Sequence, residues 1–142
     1  MALSTIAAAA HALRTGQTTA AALVDAALQA IDRHNPWTNA FIRVDADQAR
    51  AQAQAADAER AAGNDRGPLH GIPVSVKDLI DVAGEPTTAA SWVLKDRLPA
   101  HDAPVVARVR EAGGIVIGKT NLHEFALGTT SEESAFGAVK HP

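Results

Sequence analysis

Apolar residues recur along this chain at two spacings, one helical and one extended. Leu23, Val24, Ala27, Leu28 and Ile31 fall three and four apart, which sets them on one face of a helix. Thr18 is the expected N-cap of that helix, and His34-Asn35-Pro36 is expected to end it, because proline disfavours helical geometry in the residue before it. An earlier Ala-rich turn, capped by Ser4, reads as a first helix. Phe41-Ile42-Arg43-Val44 then reads as a short strand, and Asp45 as the cap of a third helix that runs to about Ala62 and stops at Gly63. The apolar positions of this third helix are almost all alanine, so it can pack closely while burying little area per residue.

The second half of the chain alternates. Ile72, Val74 and Val76 belong to one face of a strand, with Ser75 and Lys77 on the other, and Pro73 sits near the strand's start, where a missing N–H is tolerated. A loop with Gly84, Pro86, Thr87 and Thr88 leads to Asp102, the expected cap of a helix whose Val105, Val106, Val109 and Ala112 face inward. Gly113-Gly114 ends that helix, and Ile115-Val116-Ile117 is a third strand. Strands alternating with helices predict an α/β fold, a mixed and largely parallel sheet flanked by helices. After Thr120 there is one short helical candidate, around Leu122 to Leu127, and then no closing element. A parallel sheet left with an uncovered edge or face is expected to continue in further chain, so the fold reads as truncated on its C-terminal side.

Composition narrows the chemistry. The 142 residues have the length of one ordinary domain, without repeat, linker or evident boundary, and 46% hydrophobic against 20% charged residues is a globular balance. No apolar run reaches the roughly 18 residues of a membrane span and the N-terminus lacks the features of a signal peptide, so a cytoplasmic protein is expected. The absence of cysteine removes disulfides, thiol nucleophiles and thiolate zinc sites, which leaves a hydroxyl as nucleophile and His, Lys or carboxylate as base. A net charge of −3 predicts no direct nucleic-acid binding.

Two motif matches fail on context. Gly113 to Thr120 fits the phosphate-loop pattern G-x-x-x-x-G-K-[ST], but the intervening positions include Ile115-Val116-Ile117, which resist the positive φ of a phosphate-cradling turn and are themselves the strand. His123-Glu124 suggests a zinc helix, but Leu127 stands where the second histidine would be, and His70, His101 and His141 have no common partner in the pattern, so neither metal nor cofactor is expected. Lys77 differs in that it ends an apolar strand, and the carboxyl ends of strands in open sheets are where active sites form. Position alone favours a lysine that reaches from a strand end into solvent. To act as a base it must lose a proton near neutrality, about three pH units below its ordinary value near 10.4, or roughly 4 kcal/mol, which burial or neighbouring cations can supply.

Several ordered blocks now share one pattern: Gly67-Pro68-Leu69-His70-Gly71-Ile72-Pro73-Val74-Ser75-Val76-Lys77-Asp78, then Gly84, Pro86-Thr87-Thr88 and Asp102, then Gly118-Lys119-Thr120-Asn121 and Glu124-Phe125-Ala126. In this the chain strongly resembles the amidase-signature family over nearly its whole length, as the N-terminal portion, residues 1–142, of a single domain.

The resemblance implies a Ser, cis-Ser, Lys triad with Lys77 at the lysine position. The lysine acts through a bridging serine on a nucleophilic serine, an acyl-enzyme forms, and the amide nitrogen leaves with a relayed proton. Both serines belong to a later Gly/Ser-rich segment that also supplies the oxyanion hole, and Ser75, Ser91, Ser131 and Ser134 do not match them. The backbone around Ala126 to Gly128 is implied as the acyl side of the substrate pocket. A free-standing carboxamide hydrolase acting on a small-molecule amide, with a homodimer open to it, and the glutaminase subunit of a tRNA-dependent amidotransferase, with protein partners, are both compatible with these residues. So is a non-catalytic interaction module made of half the fold. By the same reading the 142 residues alone lack a nucleophile and are inactive.

Overall fold

The computed structural model describes residues 5–141. Helices α1 (Ile6–Arg14), α2 (Ala20–Thr38) and α3 (Ala46–Ala61) fill the first half with β1 (Phe41–Val44) between the last two; β2 (Pro73–Lys77), α4 (Pro104–Glu111) and β3 (Ile115–Thr120) follow. Short 3-10 turns stand at Trp92–Leu94 and Glu124–Ala126. The backbone divides into two compact units, each assembled from three separate stretches. The first takes in residues through 29, 45–74 and 108–117, and the second 30–44, 75–107 and 118 onward.

The first unit is apolar and rich in alanine. On α3, Ala49, Ala53 and Ala56 recur four and three apart and are all buried, the close-packing face that the alanine pattern predicts. Asp45 caps this helix through a side-chain bond from the Gln48 N–H, and Gly63 (φ +85°) follows its end, both as expected. The cap of α2 differs from expectation. Thr19, not Thr18, accepts from the Ala22 N–H, and the Asp57 carboxylate accepts from the N–H groups of Ala20 (2.7 Å) and Ala21 (3.0 Å). A carboxylate satisfying two open donors at a helix N-terminus suits both the hydrogen-bond deficit and the helix dipole there. Asp57→Ala is therefore expected to cost about 1 to 2 kcal/mol, read as a lower urea midpoint at unchanged slope. A change below a few tenths would mean that water replaces the carboxylate. The first helix is capped by Thr5, whose hydroxyl accepts from Ala8 N–H; Ser4 lies outside the described residues.

Pro36 does not end α2. Its missing N–H removes one helical bond, but Thr38 Oγ1 donates to the His34 carbonyl and Asn39 N–H to that of Asn35, so the helix continues through Thr38. Asn39, in the left-handed region at φ +52°, then stops it.

The sheet runs β1-β3-β2, so β3 is central and the order is not a simple run of successive β-α-β units. Its β2 side is parallel, since bonds from Ile115 N to Ile72 O and from Asp78 N to Thr120 O advance together along both strands. Its β1 side is antiparallel, pairing Phe41 with Thr120, Arg43 with Lys119 and Val44 with Gly118. The sheet is thus mixed, with one pairing of each kind. A Cβ at Gly118 would collide with the Arg43 carbonyl oxygen, so close approach of β1 accounts for this glycine. On α4, Val106 is buried and Val105 is 54% exposed, which corrects the inward face read from the sequence. The helix opens on Pro104, a favoured first position, and the Asp102 carboxylate accepts from the Ala83 N–H at 2.7 Å.

Candidate active site

The second unit differs from the first in the polarity of its interior. Where β2 ends, alternation sends successive side chains to opposite sides: Val76 inward, Lys77 outward and exposed, Asp78 inward at 1% exposure. Within the described chain Lys77 reaches from the strand end into solvent, so neither the strand nor its helices bury it. Asp78 is fixed on every side. Its N–H donates to the Thr120 carbonyl, its own carbonyl accepts from Ala89 N–H, one carboxylate oxygen accepts from the N–H and hydroxyl of Thr88, and the other lies 3.0 Å from Lys119 Nζ. Lys119 is fully buried and also donates to the Thr87 hydroxyl at 2.8 Å and to the Pro86 carbonyl at 3.4 Å.

This arrangement settles the local structure at Lys119. The stretch 115–120 is strand throughout, and the lysine's ammonium is committed to a carboxylate in the interior. Titration with ATP or GTP is accordingly expected to show no binding at micromolar concentration. Binding that is lost in Lys119→Ala would contradict the structural reading of this lysine.

The segment that holds the pair is buried and strained. Thr87, Thr88, Ala89, Ala90 and Ser91 are all buried, and Ala89 and Ala90 both take left-handed backbone, at φ +51° and +57°. Non-glycine residues in that region cost of order 1 kcal/mol or more each and persist where the surroundings demand them. The demand is visible: Ala90 N–H donates to Thr88 Oγ1, the Ala89 carbonyl accepts from Phe125 N–H, and the Ala90 carbonyl accepts from Ala135 N–H. Ala89 thus bonds on one side to the residue after Lys77 and on the other to the residue before Ala126.

The 3-10 turn at Glu124–Ala126 replaces the longer helix expected from 122 to 127, with Phe125 and Ala126 both left-handed. Ala126 is exposed and its N–H is bonded to the His123 carbonyl. Gly128 is required by the His123 ring, because a Cβ there would overlap the ring atoms Cε1 and Nδ1. His123 Nε2 is 3.4 Å from Glu133, and among the described residues no group of three or more His, Cys, Asp or Glu is placed to hold a metal ion. Ser91 accepts from Val93 N–H and Ser134 donates to the Asn121 side chain, so both hydroxyls serve local structure. Below the strand end, Arg97 bonds Asp81 through two nitrogens and holds that carboxyl below the usual carboxylate range. No described helix is long and apolar enough to cross a membrane.

Known proteins resemble this chain in sequence and in fold. The family model described as Amidase matches residues 22–142. The A subunit of the glutamyl-tRNA(Gln) amidotransferase of Roseiflexus sp. (strain RS-1) is 48% identical over 132 residues, 93% of this chain and 27% of that protein. The native peptide amidase of Stenotrophomonas maltophilia superposes with a TM-score of 0.86 at 39% identity, over 97% of this chain and 29% of its own. The A subunit of the Thermotoga maritima glutamyl-tRNA(Gln) amidotransferase does so at 0.67 and 35% identity, over 85% and 24%. The chain spans about a quarter of the length of the curated relatives it matches. By the family model and these likenesses, the chain belongs to the amidase family.

Proposed function

We propose that this chain is the N-terminal portion, residues 1–142, of a single amidase-signature domain and supplies the lysine of a hydrolase that cleaves a carboxamide in the cytoplasm. The observation that carries the reading is Lys77 at the carboxyl end of a parallel strand pair, beside an immobilised Asp78, in a chain of this family. Unprotonated Lys77 takes the proton of a nucleophilic serine through a bridging serine, the serine oxygen bonds the amide carbon, and the nitrogen leaves after receiving the proton back. The backbone at Ala126 and Gly128 lies along the acyl group. Desolvation of Lys77 falls to the remainder of the protein. In support, Leu79, Trp92, Phe125 and Leu127, all in the segments around this strand end, leave large apolar surface exposed.

A second reading is favoured by the curated relatives, which are named for the A component of glutamyl-tRNA(Gln) amidotransferases. There the amide is glutamine's and the released ammonia passes to a reaction on a partner protein. Ammonia release by the intact protein, measured on simple amides and on glutamine with and without partner proteins, separates the two. The 142 residues alone are expected to release none, since they hold no matching serine. Hydrolysis by the isolated chain that vanishes with Lys77→Ala would place the nucleophile within it and refute the division of labour described.

A further inference from the structure

Asp78 and Lys119 take no part in the serine and lysine chemistry above, yet they are the most deeply buried charges of their unit, and one of them follows Lys77 directly. We propose that Lys119 is a positioning residue acting through charge: it cancels Asp78 and so leaves Lys77 free to give up its proton. The inference rests on the reading of Lys77 as the base.

An uncompensated carboxylate one residue from an amine favours the ammonium form. For two unit charges about 10 Å apart at an effective dielectric near 20 such an effect is roughly one pH unit, falling to about half for a partly hydrated amine. Thr88 satisfies one oxygen of Asp78 with two neutral donors, which contribute no net charge. Among the described residues, only Lys119, at 3.0 Å, contacts Asp78 with a positive one. The pair is buried, so the cancellation is little weakened by salt. The other ionisable groups of the unit are Asp32, Arg33 and His34 on α2 and Arg43 on β1; Asp81, committed to Arg97, and Glu85 on the connection after β2; Lys95 and Asp96 beyond the Trp92 turn; His101 and Asp102 before α4; and His123, Glu124, Glu132, Glu133, Lys140 and His141 after β3. All of these stay constant when only the pair is changed. A purely structural pair would hold the 86–90 segment equally well without influencing the proton on Lys77.

The test is the pH dependence of kcat/KM for the intact protein and for Asp78→Asn, Lys119→Met and the double variant, with melting measured alongside. Lys119→Met is expected to move the acid limb up by about half to one pH unit, because Asp78 is left unopposed. Asp78→Asn is expected to move it down by a similar amount, because Lys119 is left unopposed, and the double variant returns it to within about 0.2 units of the parent. Limbs that stay fixed while melting falls would overturn the proposal, as would shifts of the same sign in both single variants. If Lys119→Met does not fold, Asp78→Asn and the double variant decide alone, and an unmoved limb in Asp78→Asn sinks the idea. Lys77→Ala is the control for the underlying reading: an acid limb that persists there removes Lys77 itself from the mechanism, a failure distinct from that of the pair.

Discussion

Lys77→Ala in the intact protein is expected to lower kcat for amide cleavage by about three orders of magnitude or more and to leave melting nearly unchanged. The two halves of that expectation have different sources. Loss of a general base typically costs 10²- to 10⁴-fold, and the loss is larger where the base is needed to create the nucleophile. Stability should be spared because the Lys77 side chain points outward, is exposed, and makes no hydrogen bond or ion pair among the described residues. Surface substitutions of that kind usually stay within about 0.5 kcal/mol. A parallel fall in activity and melting temperature would mean that the lysine packs in the intact protein and that its chemistry has not been isolated.

Lys119→Met should do the reverse and damage the fold, by about 3 to 5 kcal/mol, since it strands the Asp78 carboxylate at 1% exposure without its counter-charge. Asp78→Asn also leaves a buried charge unopposed, in this case the lysine. Removing both charges together should cost much less than the sum, because the expense lies in an unpaired buried charge and not in the loss of a favourable pair. Denaturation by urea, followed through tryptophan fluorescence, gives the three numbers. Additive losses would show that the two residues do not act as a pair. A loss under about 1 kcal/mol for Lys119→Met would show that water reaches Asp78.

The helical and extended periodicities were readable because each depends on residues near in sequence. The capping of α3 by Asp45, its alanine face and the strands at 41–44 and 115–117 all follow from local pattern. Expectations failed where a distant residue decided the matter. Thr18 and Thr19 are equivalent caps on paper, and the carboxylate of Asp57, 37 positions further on, is what meets the first N–H of α2. Pro36 is a stop signal only if nothing carries the helix past it, and Thr38 and Asn39 do. The order β1-β3-β2 depends on long-range pairing that no periodicity encodes. Lys77 was legible as a strand-end lysine, and the structure leaves it exposed, as its position alone suggests. The pairing of Lys119 with Asp78 was missed, although a lysine in the run Ile-Val-Ile-Gly-Lys carried a signal. A lysine inside an apolar strand is almost never fully buried unless paired, so a partner was owed, and the aspartate at the end of the other apolar strand was available to be that partner.

The most direct test of the account is the acylation rate of Lys77→Arg in an intact, normally melting protein, compared with the parent and with Lys77→Ala. Arginine keeps the positive charge and nearly the reach of lysine but cannot serve as a base at any working pH. The account predicts that the arginine variant is about as slow as the alanine variant. Acylation near the parent rate would contradict it, reducing Lys77 to a cation at the end of a strand.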